Sequence, residues 1–277
     1  VPPSVTVLMT TYHGTSVAEL ERSVGCIVGQ TRPPEEFLVV VDGPVPEALD
    51  AAIGRAAAEH PALRVERLPR NVGSGLASAR GLELATGDFV ARHDSDDVSL
   101  PTRLEEQMRR VEEHGLDLVG SAMLEFRGDP DTVLGLRSVP TSHEAILRRL
   151  PMNNPVNNPT SVFRRELALA VGGYSDLRYM QDYDLFARML AAGARAENLA
   201  EPLVLFNAGD DMIARRGGWR MLRHELTIQR RLRAAGVIGT PRLAVNLVLR
   251  GAFRLVPRRL LGPVYALLFR RSQEVGA

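Results

Sequence analysis

The stretch Phe37-Leu38-Val39-Val40-Val41, stopped abruptly by Asp42-Gly43-Pro44, constrains this chain more than any other feature. A strand with no polar alternation has to be covered on both faces, which is the situation of an inner strand in a parallel sheet layered by helices. The neighbouring sequence supplies the layers. Val5-Thr6-Val7-Leu8-Met9 reads as a first strand running into Thr10-Thr11-Tyr12. Ser16 can cap a helix to about Gln30 with Leu20, Val24 and Ile27 on one face, and Pro33-Pro34 ends it. Pro46 to Glu59 reads as a second helix, Leu63 to Leu68 as a third strand and Ser74 to about Ala85 as a third helix. Phe89-Val90-Ala91-Arg92 is a fourth strand that runs into Asp94-Ser95-Asp96-Asp97. This alternation predicts an α/β fold with a doubly wound, mostly parallel sheet. Ligands of such sheets bind outside the carboxyl ends of the strands, so Thr11, Tyr12, Asp42, Asp94 and Asp96 are expected on one rim.

The pattern continues with a helix from Pro101 to His114, a strand from Leu116 to Ser121, and a hairpin or excursion over residues 122–140. A helix over His143–Leu150 precedes the Asn/Pro-rich loop 153–160. Strand-like residues 161–163, a helix ending at Gly172-Gly173 and a helix over Asp182–Ala192 follow. The last carries Asp182 and Asp184 in its first turn, where acids are favourable. A chain of 277 residues can bury one large core with an appendage. The expected organisation is a domain over residues 1–207 and a helical extension over residues 208–277.

The formal charge of +1 conceals an asymmetry. From Arg215 onward fourteen arginines face two glutamates, which makes the tail +12 and the body −11. Val245–Arg271 interleaves Leu247, Leu249, Phe253 and Leu260 with Arg250, Arg254, Arg258 and Arg259, and Pro257 and Pro263 break it into short helices. Apolar faces edged with arginine fit a peripheral contact with an anionic membrane. Packing on the domain and formation of a homodimer are the competing readings. A tail with few aromatics and no binding motif argues against nucleic acid. One cysteine, Cys26, excludes an internal disulfide framework and suits the cytoplasm, and its apolar neighbours make it a buried structural thiol. The sequence opens with no leader-like segment, and no uncharged apolar run reaches the roughly 18 residues of a spanning helix.

Asp94-Ser95-Asp96 has the chemistry of a hard-cation site. Mg²⁺ or Mn²⁺ takes oxygen ligands, and needs only one or two carboxylates when substrate phosphates complete the shell. In an extended segment alternate residues point the same way, so Asp94 and Asp96 can share a site while Asp97 turns elsewhere. A solvated turn, or a cap for the helix that starts near Pro101, is the plainer alternative.

Together these segments resemble family 2 glycosyltransferases of the GT-A fold, in particular the bacterial amylovoran-type subgroup that builds lipopolysaccharide and exopolysaccharide units. The resemblance rests on Thr10-Thr11-Tyr12, Val41-Asp42-Gly43-Pro44, Asn71-Val72-Gly73-Ser74-Gly75 and Ala91-Arg92-His93-Asp94-Ser95-Asp96-Asp97. It continues through Asn154-Pro155-Val156-Asn157-Asn158-Pro159-Thr160, Gly172-Gly173-Tyr174, Gln181-Asp182-Tyr183-Asp184-Leu185 and Ala214-Arg215-Arg216-Gly217-Gly218. It implies a GT-A catalytic domain over 1–207, with the nucleotide-sugar half at about 1–100 and the acceptor half at about 101–207. The activity it implies is inverting, metal-dependent transfer from a nucleotide-diphosphate sugar, UDP favoured, to a glycan or lipid-linked acceptor. The enzyme would be cytoplasmic and peripheral on the inner face of the cell membrane.

The resemblance also implies residue roles. Thr11, Tyr12, Asp42, Asn71, Gly73, Arg92, Asp94, Asp96 and Arg215 would contact the nucleotide sugar. Asp96, assisted by Asp94, would hold Mg²⁺ or Mn²⁺, and Asp182 would be the catalytic base for the acceptor hydroxyl. Asn158 and Gln181 would face the acceptor. They are also departures, since the family usually has Glu before the base and the subgroup commonly has His at the Asn158 position. Ala79 replaces a common Asn.

Other nucleotide enzymes fit less well. A sugar-nucleotide pyrophosphorylase or a Rossmann dehydrogenase should carry a glycine-rich phosphate loop after the first strand, where this chain has Thr10-Thr11-Tyr12-His13-Gly14. A catalytically degenerate nucleotide-sugar-binding subunit is the non-enzyme alternative. Gln181 favours it, and retention of Asp96 and Asp182 opposes it.

Overall fold

Apolar runs and amphipathic helices assemble into one mixed sheet with helices on both faces. The computed structural model describes residues 2–209 and 219–254. Strands β1 (Val5–Thr11), β2 (Glu36–Val41), β3 (Leu63–Arg67) and β4 (Phe89–Asp94) pair in parallel in the order β3-β2-β1-β4. The unbroken apolar run of β2 is explained by its two coverings. Leu38 and Val40 enter one core with Ala77 and Leu82 of α3 (Ser74–Leu84). Phe37, Val39 and Val41 enter the other with Leu20, Val24 and Ile27 of α1 (Val17–Val28) and Leu49 and Ile53 of α2 (Glu47–Glu59). Full burial of side chains of this size contributes about 1.5–3 kcal/mol each. Ser16 caps α1 as expected: its hydroxyl accepts from Glu19 N at 3.2 Å while the Glu19 carboxylate accepts from Ser16 N at 2.8 Å.

The second half extends the sheet through a reversed strand. After β5 (Val98–Ser99), α4 (Arg103–His114), β6 (Leu118–Arg127), β7 (Asp129–Arg137) and α5 (His143–Arg149) comes a 3₁₀ turn at Asn158–Thr160. Next are β8 (Val162–Arg164), α6 (Arg165–Ala170), α7 (Gln181–Ala191) and β9 (Ala196–Asn207). β8 lies antiparallel between β4 and β6, β9 runs parallel to β6, and β5 closes the edge, giving β3-β2-β1-β4-β8-β6-β9-β5. Residues 122–137 form the expected hairpin, β6 continuing into β7.

β9 has no counterpart in the sequence reading. Its opening Ala196-Glu197-Asn198 has weak strand propensity, and Pro202 argues against an inner strand. The structure accommodates the proline at a bulge, where the register jumps from Ser121–Leu199 to Ala122–Pro202.

Beyond β9, α8 (Trp219–Ala234) and α9 (Thr240–Arg254) pack on each other, and α8 packs on α7. Ile228 and Leu232 of α8 join the core of α7, so this part of the basic extension packs on the domain. Arg215 and residues 255–277, with Pro257, Arg258, Arg259 and Pro263, lie outside the described residues. Among the described residues no helix is long and apolar enough to cross a membrane. Cys26, expected to be buried, is half-buried against the core; it accepts from Ser99 N at 3.2 Å, and desolvation pushes it up to about 11.

Candidate active site

The strand order turns outward on either side of β1, since β2 and β4 flank it, and this opens a crevice at the carboxyl ends. The register sets Thr10 opposite Asp94 and Thr11 opposite Val41, and Asp42 N donates to Thr11 O at 2.8 Å. Thr11, Asp42 and Asp94 therefore stand on three adjacent strand ends. Thr11 is buried, and its hydroxyl has no partner among the described residues. Tyr12 follows at the rim, 43% exposed, with its ring edge-on to His13 at 5.2 Å.

Asp42 organises the next loop. Its carboxylate accepts from Val72 N at 2.7 Å through Oδ1 and from Gly73 N at 2.9 Å through Oδ2. Asn71 Nδ2 donates to Asp42 O at 3.1 Å. The two backbones run so close that a Cβ on Gly43, whose φ is 87°, would stand 2.4 Å from Asn71 N. Gly73 also needs its positive φ of 92° to turn the chain into α3. A carboxylate has about four lone-pair sites, so Asp42 keeps capacity for a further donor while it clamps the loop.

The acidic run rests on two buried guanidiniums. Arg92, expected among the nucleotide contacts, is only 2% exposed. Its Nη2 donates to Asp94 Oδ1 at 2.8 Å and its Nη1 to Leu8 O at 2.9 Å. It is a counter-charge beneath Asp94 that orients this carboxylate. Arg103 was not foreseen; fully buried, it donates to Arg92 O at 2.7 Å, Ser99 Oγ at 2.8 Å and Gln107 Oε1 at 3.1 Å. Burial brings it down to about 10, so it stays charged at neutral pH. The available signal was that Arg103 and Gln107 share a helix face with Leu104, Met108 and Val111, where a charge needs partners.

Asp96 is half-buried beside Asp94. The run is not extended as the alternation required: the chain turns at Ser95 and Asp96, and Asp97 N donates to Asp94 O at 3.1 Å. Asp97 is buried and anchors the end of β9, where its Oδ1 accepts from Asn207 N at 2.8 Å. Burial, then the charges of Asp96 and Asp94, push the Asp97 carboxyl well above its ordinary value. Asp94 and Asp96 supply hard oxygen donors suited to Mg²⁺ or Mn²⁺. Among the described residues no group of three or more His, Cys, Asp or Glu forms a protein-only cage. Two carboxylates instead suit a cation that completes its shell from phosphates and water.

Asp182 lies in the first turn of α7, directly after Met180 and Gln181. Met180 has φ 63°, the one positive φ at a non-glycine among the described residues, and such strain concentrates at functional sites. Asp182 Oδ2 accepts from Asn154 Nδ2 at 2.7 Å. The residue as a whole is half-buried, but its carboxyl sits low enough to lose its water. That burial raises the carboxyl above its ordinary value. The Asp94 charge acts in the same direction, and the Tyr183 N–H and the Asn154 amide oppose it. Asn154 was seen only as part of a motif, and its grip on Asp182 depends on the tertiary fold.

The two residues expected to face the acceptor have different surroundings. Gln181 Nε2 reaches Ser74 Oγ at 3.4 Å, tying the start of α7 to the start of α3. Asn158 sits in the 3₁₀ turn, where its carbonyl accepts from Ser161 Oγ at 2.8 Å and its Oδ1 is buried without a partner among the described residues. A separate cavity of about 510 Å³, lined by Arg110, His143, Arg195 and Glu197 among others, lies at the amino ends of β6 and β9 and shares no residue with this rim.

The chain that builds this rim is similar to known proteins over nearly its whole length. Residues 6–170 match the family model described as Glycosyl transferase family 2. The chain belongs to family 2 of the glycosyltransferases and is a glycosyltransferase. It is 34% identical over 260 residues to the amylovoran biosynthesis glycosyltransferase AmsE of Erwinia amylovora, covering 94% of this chain and 97% of that one. It is 28% identical, over 97% and 98% of the two chains, to an Escherichia coli UDP-Gal:alpha-D-GlcNAc-diphosphoundecaprenol beta-1,3-galactosyltransferase. Among solved structures it is similar to S. aureus TarS 1-349 in complex with UDP, with a TM-score of 0.65, 18% identity, and coverage of 96% and 75%. It is also similar to the mannosyltransferase PcManGT from Pyrobaculum calidifontis in complex with GDP-Man and Mn²⁺, with a TM-score of 0.59, 20% identity, and coverage of 96% and 81%. These likenesses confirm the GT-A fold.

Proposed function

We propose that the chain is an inverting, metal-dependent transferase that moves a sugar from a nucleotide-diphosphate donor, UDP favoured, to a hydroxyl of a glycan or lipid-linked acceptor in cell-surface polysaccharide synthesis. The observation that carries this reading is Asp182, held by Asn154 and close enough to Asp94 to feel its charge. A sugar hydroxyl is a poor nucleophile at neutral pH and needs a base. Asp182 takes the hydroxyl proton as that oxygen bonds to the anomeric carbon, on the face opposite the diphosphate. The bond from the anomeric carbon to the diphosphate oxygen breaks, and the configuration inverts. Thr11, Tyr12, Asp42, Asn71 and Gly73 seat the nucleoside. Asp96, with Asp94, would hold Mg²⁺ or Mn²⁺, and the ion would supply positive charge to stabilise the leaving diphosphate. Arg215 is the proposed diphosphate clamp. In the Asp182→Asn variant nucleotide binding should persist while transfer falls roughly 10²–10⁴-fold, the usual contribution of a general base. Undiminished transfer would remove Asp182 from this role.

The proposed location is the cytoplasmic face of the cell membrane. Support comes from the outer side of α9, where Val245, Val248 and Leu249 are 48%, 70% and 62% exposed in an arginine-rich segment. Triple replacement of these residues by Ser should reduce flotation on vesicles containing phosphatidylglycerol. Unchanged flotation would sink the idea, and a loss of self-association instead would assign the face to a dimer.

A further inference from the structure

Behind Asp182 the chain turns through residues 150–154, and three consecutive carbonyls of this turn are held by side chains. Leu150 O accepts from the Tyr183 hydroxyl at 2.5 Å, Pro151 O from Asn246 Nδ2 at 2.7 Å, and Met152 O from Arg250 Nη1. The turn ends at Asn154, whose amide orientation is fixed on both sides: Oδ1 accepts from Val156 N at 3.3 Å, and Nδ2 donates to Asp182 at 2.7 Å. Two of the three grips come from α9, about a hundred residues further along the chain.

Those two residues are themselves locked. Asn246 Nδ2 also donates to Gln229 Oε1 at 2.9 Å, and Gln229 Nε2 donates to Glu225 Oε1 at 3.0 Å. Glu225 pairs with Arg250 Nε at 2.5 Å. Glu225 and Gln229 are fully buried and Asn246 is 4% exposed. A buried charge is tolerated only with its partners in place, so the link between α8 and α9 has one favoured geometry. We infer that α9 is a positioning element for the transfer chemistry: through Asn246 and Arg250 it sets turn 150–154, and through Asn154 it sets Asp182. This rests on reading Asp182 as the base.

The inference is tested on the full chain, labelled with ¹³C at aspartate carboxyls and titrated by NMR in chelator, with Asp182 assigned by Asp182→Asn. Losing a donor to a carboxylate favours its protonated form, so Asn246→Ala should move the Asp182 midpoint upward, in the same direction as Asn154→Ala. Asp94 of β4, Tyr174 and the adjacent Tyr183 bear on Asp182 as well, and none of them is altered. In the Asn154→Ala background Asn246→Ala should add nothing, because its route is already cut. With a working donor and acceptor, kcat should fall roughly 10- to 100-fold at unchanged nucleotide affinity, the scale of a misplaced reacting group.

Arg250→Gln repeats the titration if Asn246→Ala does not fold. A midpoint that stays put in both variants while Asn154→Ala moves it overturns the inference, as does additivity of Asn154→Ala with Asn246→Ala. Failure of the underlying reading shows separately, as transfer surviving Asp182→Asn.

Discussion

The half built on β1–β4, proposed to bind the nucleotide sugar, and the half that carries Asp182 hold their candidate groups in different ways. In the first, Thr11, Asp42 and Asp94 stand at strand ends and Gly73 begins the next helix. Asp42 N meets Thr11 O, the Asp42 carboxylate meets Val72 N and Gly73 N, and Arg92 lies under Asp94. In the second, Asp182 depends on Asn154, 28 residues earlier, in a turn anchored 95 and 98 residues later by α9. The first half is built from repeated strand–helix units, whereas the turn behind Asp182 is held by side chains of a helix about a hundred residues later. Nucleotide binding should therefore survive changes that disable transfer.

The largest expected effect within the nucleotide half comes from Asp96→Ala. With Mg²⁺ or Mn²⁺ present it should weaken nucleotide binding by at least roughly 10- to 100-fold, the range reached even by outer partners of metal sites. Equal weakening in chelator would contradict metal ligation. A smaller effect is expected of Asp42→Ala, which strands two backbone N–H groups. At roughly 1.5 kcal/mol or more for a hydrogen bond to a charged acceptor, nucleotide affinity should drop at least about tenfold. The Asp182 titration should not move, and a shift there would break the division into halves.

The smallest effect sharpens the comparison from the far end of the sheet. Glu36 is 5% exposed, and desolvation opposes its charge. The hydroxyl of Thr6 at 2.7 Å, Thr86 N at 2.8 Å, Thr86 Oγ1 at 2.9 Å and Arg64 together outweigh this and lower the carboxyl below 4.5. Such a group contributes stability that is fully present above its unfolded value and is lost as pH falls through the lower folded one. Glu36→Gln should cost about 1–3 kcal/mol at neutral pH and less in acid, with nucleotide affinity unchanged. Denaturant melts at two pH values measure this; an equal loss at both would contradict the charge-based account.

Legibility in the sequence follows the same division. The apolar run of β2 and the polar residues after β1, β2 and β4 were enough to give the parallel sheet and its rim, since both depend on neighbours in sequence. β9 was hidden because Pro202 sits at a bulge, a feature that exists only once β6 lies alongside. Arg92 was read by its motif as a ligand contact, and its bond to Asp94 follows from their placement two residues apart on β4. Arg103, the anchoring of Asn207 by Asp97, and the Asn154–Asp182 bond join segments that no periodicity relates.

The grip of α9 on the turn behind Asp182 also orders events in time. A chain made from its N-terminus completes β1–β4 and the Asp42 clamp while residues 246 and 250 are still unmade. At about 5–20 residues per second the delay is on the order of ten seconds. During that interval the nascent chain has Asp42 and Asp94 but lacks the anchors of the turn that holds Asp182. On the proposed reading, a chain interrupted before α9 would hold its donor without transferring it.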